Sequence, residues 1–215
     1  MWNELISFAF FILPAVFIIY CWKHGDILTF TGAMMISSVL ASEGAGKVIP
    51  MFNTEVACGS TYIPTIFILL ALLAKKFSNR MAMRALGAVT FGMILFAVAQ
   101  GRWLAFSFFT PTITTHAAGP SELAFKNAVL TTLMVYFSGL FILAVRKFLM
   151  DVKPVVRTWT PVFLDIVLTT PISVLAVSWG NPDAVTESLV VSTIMVRLIL
   201  PVMLLSYVLW DTRGK

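Results

Sequence analysis

The sequence predicts an all-α membrane protein, a polytopic bundle of seven transmembrane helices forming one domain over residues 1–215. Three observations carry that prediction. Hydrophobic residues make up 59% of the chain and charged ones only 12%, against roughly 45–50% and 25% in soluble domains. Mean hydropathy is +0.93, which leaves too little polar surface to wrap a water-soluble globule. A spanning helix needs about 20 apolar residues, so a chain of this length supplies six or seven with short loops. A soluble enzyme and a secreted disulfide scaffold are excluded. Strict two-residue alternation is absent, which argues against an outer-membrane barrel.

The elements follow in order. Residues 5–22 form the first helix, closed by Lys23, His24, Gly25 and Asp26. No basic stretch precedes it, and its end, Tyr20-Cys21-Trp22-Lys23, is bulky where a signal-peptide cleavage site needs small residues. The second helix, 27–47, is apolar through Ala41, then meets Ser42, Glu43, Gly44, Ala45, Gly46 and Lys47 before Pro50 closes it. The third, 59–74, ends at Lys75-Lys76, and the fourth, 85–100, continues from Trp103 to Phe109 into the interface. Residues 110–127, with Pro111, His116 and Gly119-Pro120, form the longest polar stretch, a lid or a plain connection. Residues 128–145, 158–179 and 188–210 complete the seven.

Charge tests the count. With seven helices alternating sides, eleven basic residues fall on one side: Lys23, Lys75, Lys76, Arg80, Arg84, Arg146, Lys147, Lys153, Arg157, Arg213 and Lys215. The other side receives three, Lys47, Arg102 and Lys126. This positive-inside bias predicts a multi-pass protein of the cell (cytoplasmic) membrane, N-terminus out and C-terminus in. It also accounts for the net charge of +5 without nucleic acid as a partner; the lipid bilayer is the partner. Trp2, Trp22, Trp103, Trp159, Trp179 and Trp210 fall near segment ends, as an aromatic belt places them. Cys21 and Cys58 lack metal-ligand spacing and read as free thiols.

Ionisable residues inside a span are costly and mark partners or water-filled cavities. Arg197 lies nine residues into the last helix, roughly 14 Å deep and close to the midplane of a core of roughly 30 Å. Asp165 lies seven residues into the sixth, roughly 10 Å from the other side, within bridging reach of Arg197 if the helices are neighbours. The two form either a structural ion pair or part of a binding site. Glu43 and Lys47, four apart, share a helical face. They pair locally or line a cavity, and Lys47 alternatively snorkels to the interface. Gly44 and Gly46 make this segment resemble the broken helices of transporter sites. Thr169, Thr170 and Ser173 flank Pro171, and the ordinary role of such hydroxyls is to satisfy carbonyls that a proline frees. Ala88 and Gly92 fit small-xxx-small helix packing.

Catalytic signals are thin. The two histidines, His24 and His116, fall on opposite sides, and there is no HExxH, GxSxG or P-loop. A membrane-embedded carrier or binding subunit fits better than an enzyme, with no catalytic residue, metal or cofactor called for.

The order and spacing of several short words resemble the queuosine precursor transporter (VUT) family over nearly the whole chain. Ile19-Tyr20-Cys21-Trp22-Lys23-His24-Gly25 is similar to an Ala-Tyr-Arg-x-x-Gly ending in members with an extra leading helix. Ala41-Ser42 through Lys47 to Phe52 resembles an Ala-Asn…Lys…Leu-Phe segment, and Thr54-Glu55-Val56-Ala57-Cys58-Gly59-Ser60 a Glu-Val-x-x-Gly-Asn approach to the next helix. Arg157 through Trp179, then Asn181-Pro182-Asp183-Ala184, resemble the penultimate helix and its loop, and Arg197 replaces a Lys typical of the last helix.

The resemblance implies a six-helix core like the substrate-binding subunits of energy-coupling-factor (ECF) transporters, with an added N-terminal helix. It further implies uptake of 7-deazapurines such as preQ0, preQ1 or queuine in a prokaryotic membrane. The chain also departs from the family. Leu70-Ala71 and Lys75 stand for Thr-Asp-x-x-x-Glu, Gly139-Leu140-Phe141-Ile142 for Gln-x-x-Asp, and Thr169-Thr170 for Asp-Thr.

The expected function is therefore uptake of a small planar solute, a queuosine precursor or related purine-like compound, with Arg197, Asp165, Thr169, Glu43 and Lys47 lining the cavity. Arg197 would fork onto carbonyl or ring-nitrogen acceptors, while Asp165 and Glu43 accept from ring N–H or amine groups. Two alternatives stand beside it. One is a substrate-binding subunit that needs an energy-coupling partner, or a homo-oligomer. The other is a non-transporting membrane assembly or interaction protein.

Overall fold

A computed structural model describes residues 2–45, 48–51, 54–57, 59, 61–109, 118–178 and 186–211. The described residues form α1 (Trp2–His24), α2 (Ile27–Gly44), β1 (Val48–Met51), β2 (Thr54–Ala57), α3 (Tyr62–Lys76), α4 (Asn79–Phe109), α5 (Ala118–Phe148), α6 (Pro154–Ser178) and α7 (Glu187–Asp211). Four helical stretches are long and apolar enough to cross a membrane: Ile27–Gly44, Asn79–Gly101, Glu122–Phe148 and Glu187–Tyr207. The architecture fits a helical membrane bundle.

Side-chain contacts place the helix ends. Lys76 at the end of α3 donates to the carbonyls of Trp22 (2.8 Å) and Gly25 (2.9 Å), satisfying acceptors that the end of α1 leaves open. Lys23 sits 5.7 Å from the Tyr207 ring, which brings in α7. Arg146 at the end of α5 reaches Asn79 at the start of α4 and Thr158 at the start of α6. The ends of α1, α3, α5 and α7 thus share one end of the bundle with the starts of α2, α4 and α6. Nine of the eleven basic residues assigned to one side lie there; Arg213 and Lys215 fall outside the described residues.

The centre of the bundle is α3. Every residue from Ile63 to Ala74 is buried, and the helix packs against all six others. A helix wrapped on all sides has no face to spare for polar groups, so its run is apolar all round. At 15 residues it is about 22 Å long, shorter than a hydrocarbon core. Gly59 turns the chain into it with φ +87°, its carbonyl accepting from the N–H of Tyr62 and Ile63. A Cβ there would stand 3.2 Å from the Ala41 carbonyl oxygen of α2, so the turn needs glycine both for its backbone and for its close approach.

At one place the structure shortens an expected helix and adds a short hairpin to an otherwise helical bundle. Helix 27–47 stops at Gly44, and β1 and β2 form an antiparallel hairpin in the register Val48↔Ala57, Ile49↔Val56, Pro50↔Glu55 and Met51↔Thr54. Ala45 is already extended (ψ 146°), and Val48, Ile49, Thr54 and Val56 are β-branched residues that suit a strand. The hairpin lies on α7: the Ala57 N–H donates to Thr193 Oγ1 (3.1 Å) and Ser192 Oγ donates to the Glu55 carbonyl (2.6 Å). Ala57 joins Val174, Val177 and Leu189 in a small apolar cluster, so the hairpin closes the far end of α6 and α7.

Helices α4 and α5 also run further than the apolar segments. Glu122 and Lys126, an i,i+4 pair at 2.6 Å, extend α5 beyond the apolar run. Ala88 and Gly92 do not share an interface: Ala88 is exposed, while Gly92 faces Met35 of α2. Trp159 is buried in the core instead of joining an interfacial belt. Cys21 is a buried free thiol, and Cys58 lies outside the described residues.

Candidate functional site

The α6–α7 interface holds a buried polar cluster. On α6, Asp165, Thr169 and Ser173 recur every four residues on one face, with Thr170 beside them, and all four are buried. On α7, Thr193 and Arg197 recur at the same spacing, Arg197 only 1% exposed. Ser138 of α5 faces the Asp165 carboxyl.

The hydroxyls fix which way the hydrogen bonds run. Thr169 Oγ1 donates to the Asp165 carbonyl (2.7 Å), Thr170 Oγ1 to that of Ile166 (2.6 Å) and Ser173 Oγ to that of Thr170 (2.9 Å). With their single protons committed to the backbone, these hydroxyls have only lone pairs left to offer. Arg197 uses two of them: Nη1 donates to Thr170 Oγ1 (3.0 Å) and Nη2 to Ser173 Oγ (2.5 Å). None of the three hydroxyls bonds the Val167 carbonyl that Pro171 deprives of its N–H. Their role is to present acceptors to a guanidinium rather than to repair the proline break.

The expected Arg197–Asp165 bridge is not made. Each charge acts on the other, but no ion pair within 4.0 Å joins them. A helical side chain leans toward the N-terminus of its own helix. Because α7 runs antiparallel to α6, that lean carries the guanidinium away from Asp165 toward Thr170 and Ser173. Arg197 Nε and Asp165 Oδ2 are left buried with no hydrogen-bond partner. Such orphans are rare in a folded interior and call for an explanation. Proline sits close to both residues: Pro161 and Pro171 flank Asp165, and Pro201 withholds an N–H from the Arg197 carbonyl.

Of the five residues expected to line the cavity, the structure brings Arg197, Asp165 and Thr169 together and separates Glu43. Glu43 is exposed on the last turn of α2 and accepts from Gln100 Nε2 of α4 at 3.4 Å. Its helix packs on α3, α4 and α5 rather than on α7. Lys47 lies outside the described residues, as does His116. Thr170, Ser173, Thr193 and Ser138 are the members that sequence reasoning did not assign to the site; four-residue spacing was the signal for Ser173, from Asp165 and Thr169, and for Thr193, from Arg197.

A cavity of about 710 Å³ lies elsewhere, among α1, α2 and α3, walled by Leu13, Phe17, Ile36, Leu40 and Tyr62. Its walls are mostly apolar, with the hydroxyls of Tyr20, Ser37, Tyr62 and Thr65 among them and no charged group, whereas two charged side chains converge at the Arg197 cluster. We place the site at the cluster, because orientation and specificity come from positioned polar groups.

What the cluster can do follows from its atoms. It offers guanidinium donors beside a carboxylate acceptor in a desolvated setting, which suits recognition of a ligand edge that carries an acceptor next to a donor. No group of three metal-ligating side chains occurs among the described residues. Compared with known protein families, curated proteins and solved structures, the chain matches none of them.

Proposed function

We propose that this chain is a membrane carrier that binds a small planar polar solute between α5, α6 and α7. The observation that carries this reading is the pair of buried orphans, Arg197 Nε and Asp165 Oδ2. Leaving a donor and an acceptor of opposite charge desolvated and unpaired is costly. A solute that accepts from one and donates to the other removes that cost on binding. A lactam or amidine edge has this pattern, and purine-like bases present one. The 7-deazapurine queuosine precursors implied by the family resemblance belong to that class. Uptake across the cytoplasmic membrane, with the basic end of the bundle inside and the N-terminus outside, completes the proposal.

The test is thermal-shift and direct binding of the purified protein against preQ0, preQ1, queuine and guanine. Stabilisation by a 7-deazapurine that Arg197→Met and Asp165→Asn both abolish is the expected result. A flat response across the panel overturns the substrate class. Binding that survives Arg197→Met overturns the site.

A further inference from the structure

A second arginine cluster lies at the basic end, well away from Arg197. Arg146, on the last turn of α5, is 3% exposed, yet its hydrogen-bond partners are neutral oxygens: Nε donates to Asn79 Oδ1 (3.4 Å) and Nη1 to Thr158 Oγ1 (3.0 Å). Thr158 spends its own proton on the Pro154 carbonyl (2.7 Å), so it too can only accept. Arg157, on the first turns of α6, is near enough for its charge to act on Arg146, and its Nε is buried without a partner. Asp151, the one carboxylate in the turn between α5 and α6, is exposed and pairs with neither arginine.

Two guanidinium charges therefore lie close together, and no carboxylate among the described residues forms an ion pair that supplies a counter-charge to either. The helix dipoles do not supply one. The end of α5 contributes roughly half a negative charge, and the start of α6 roughly half a positive one, so they cancel. Arginine's planar fork matches the paired oxygens of a phosphate group, and the bond is charge-assisted on both sides. The anionic lipids that could supply such a group concentrate at the cytoplasmic leaflet, where the positive-inside rule places this end of the bundle.

We propose that Arg146 and Arg157, with Asn79 and Thr158 holding Arg146 in place, form an oxyanion site that takes a phosphate group. Two sources share that chemistry, a lipid headgroup and free phosphate, and one experiment separates them. The protein, purified in a neutral detergent, is titrated with inorganic phosphate against sodium chloride of equal ionic strength, following its unfolding midpoint. In parallel it is reconstituted into phosphatidylcholine vesicles with and without phosphatidylglycerol. Stabilisation by phosphate in detergent identifies a soluble anion. Stabilisation by phosphatidylglycerol alone identifies a lipid headgroup. In either case Arg157→Gln, whose partly exposed position spares the fold, should weaken the half-saturating response at least ~10-fold, the loss of one charge-assisted contact. The doubly substituted Arg146→Gln/Arg157→Gln protein should not respond. Equal responses of wild type and Arg157→Gln, or no response of the wild type to either probe, overturn the proposal.

Discussion

Two regions of this bundle bury side chains of opposite chemistry. Around α3, twelve successive positions are buried, and only Thr65 among them is polar, its hydroxyl returned to the Thr61 carbonyl. Along α6 and α7, equally buried positions hold Asp165, Thr169, Thr170, Ser173, Thr193 and Arg197. Along α3 no buried side-chain polar atom lacks a partner. The region of α6 and α7 leaves charged atoms without partners at the same depth. On the function proposed above, recognition falls to α6 and α7, the helices that carry Pro161, Pro171 and Pro201. Breaks in transporter helices sit where backbone and side chains must face a ligand.

The sharpest way to break this comparison is to cut into α3. Phe67 is 1% exposed and contacts the main core, so Phe67→Ala should cost about 3–5 kcal/mol as transfer energy and cavity combine. Solute binding by the surviving folded protein should be unchanged. Thermal unfolding in detergent reads the first, and ligand titration the second. A loss below about 1 kcal/mol would mean the centre of the bundle is loosely packed.

The polar half should respond in an order that the hydrogen-bond directions dictate. Thr170→Val keeps the side-chain shape but removes the acceptor of Arg197 Nη1, leaving a buried charged donor unpaired; it should cost about 1–3 kcal/mol. The double substitution Arg197→Met/Asp165→Asn removes both charges, leaves Thr170 and Ser173 donating to backbone carbonyls, and brings in only a neutral amide, which costs less to bury than a charge. It should therefore cost less than Thr170→Val, about 1 kcal/mol or under. It should nevertheless abolish solute binding. Should the double variant unfold more readily than Thr170→Val, the arginine would be a structural brace and the two halves would not differ in kind.

Much of the fold was legible because membrane helices announce themselves. Long apolar runs, basic punctuation at Lys75-Lys76 and Arg146-Lys147, and proline-bearing turns mark seven helices in the order observed. The hairpin was not legible: four-residue strands give too short a pattern, and the glycines before them read as a helix break inside one longer segment. The central place of α3 was hidden for a different reason. An apolar run facing lipid and one facing protein look alike in sequence, and only the packing tells them apart. At the site, Arg197 and Asp165 stood out as charges in apolar runs. Their separation depended on the antiparallel run of α6 and α7 and the lean of a helical side chain, which spacing along one helix does not contain. Glu43 lies apart from the Arg197 cluster because its glycine-rich surroundings mark the end of α2 rather than a break within it.

The smallest effect asks whether the apolar half owes anything to charge. Asp26 caps α2 from the turn after α1, its carboxyl accepting from the Thr29 N–H and the Thr29 hydroxyl, each at 2.7 Å. The backbone bond first, then the hydroxyl, hold that carboxyl below its usual value of 3.8. A group with a depressed folded pKa stabilises the protein fully above its unfolded value. It loses that contribution as the pH falls through the lower folded value. The protection of the first-turn amides of α2, taken as the exchange rate relative to the intrinsic rate at each pH, should therefore fall on acidification through the acid range below the usual Asp value. Asp26→Asn keeps an N-cap acceptor without the titration, so its protection should stay level over the same range. The core around α3 should not register the change, because the cap lies at the exposed rim and α3 carries no acidic residue. A parallel loss of protection within α3 would show that the apolar half unfolds through its cap, and that charge governs both halves of the bundle.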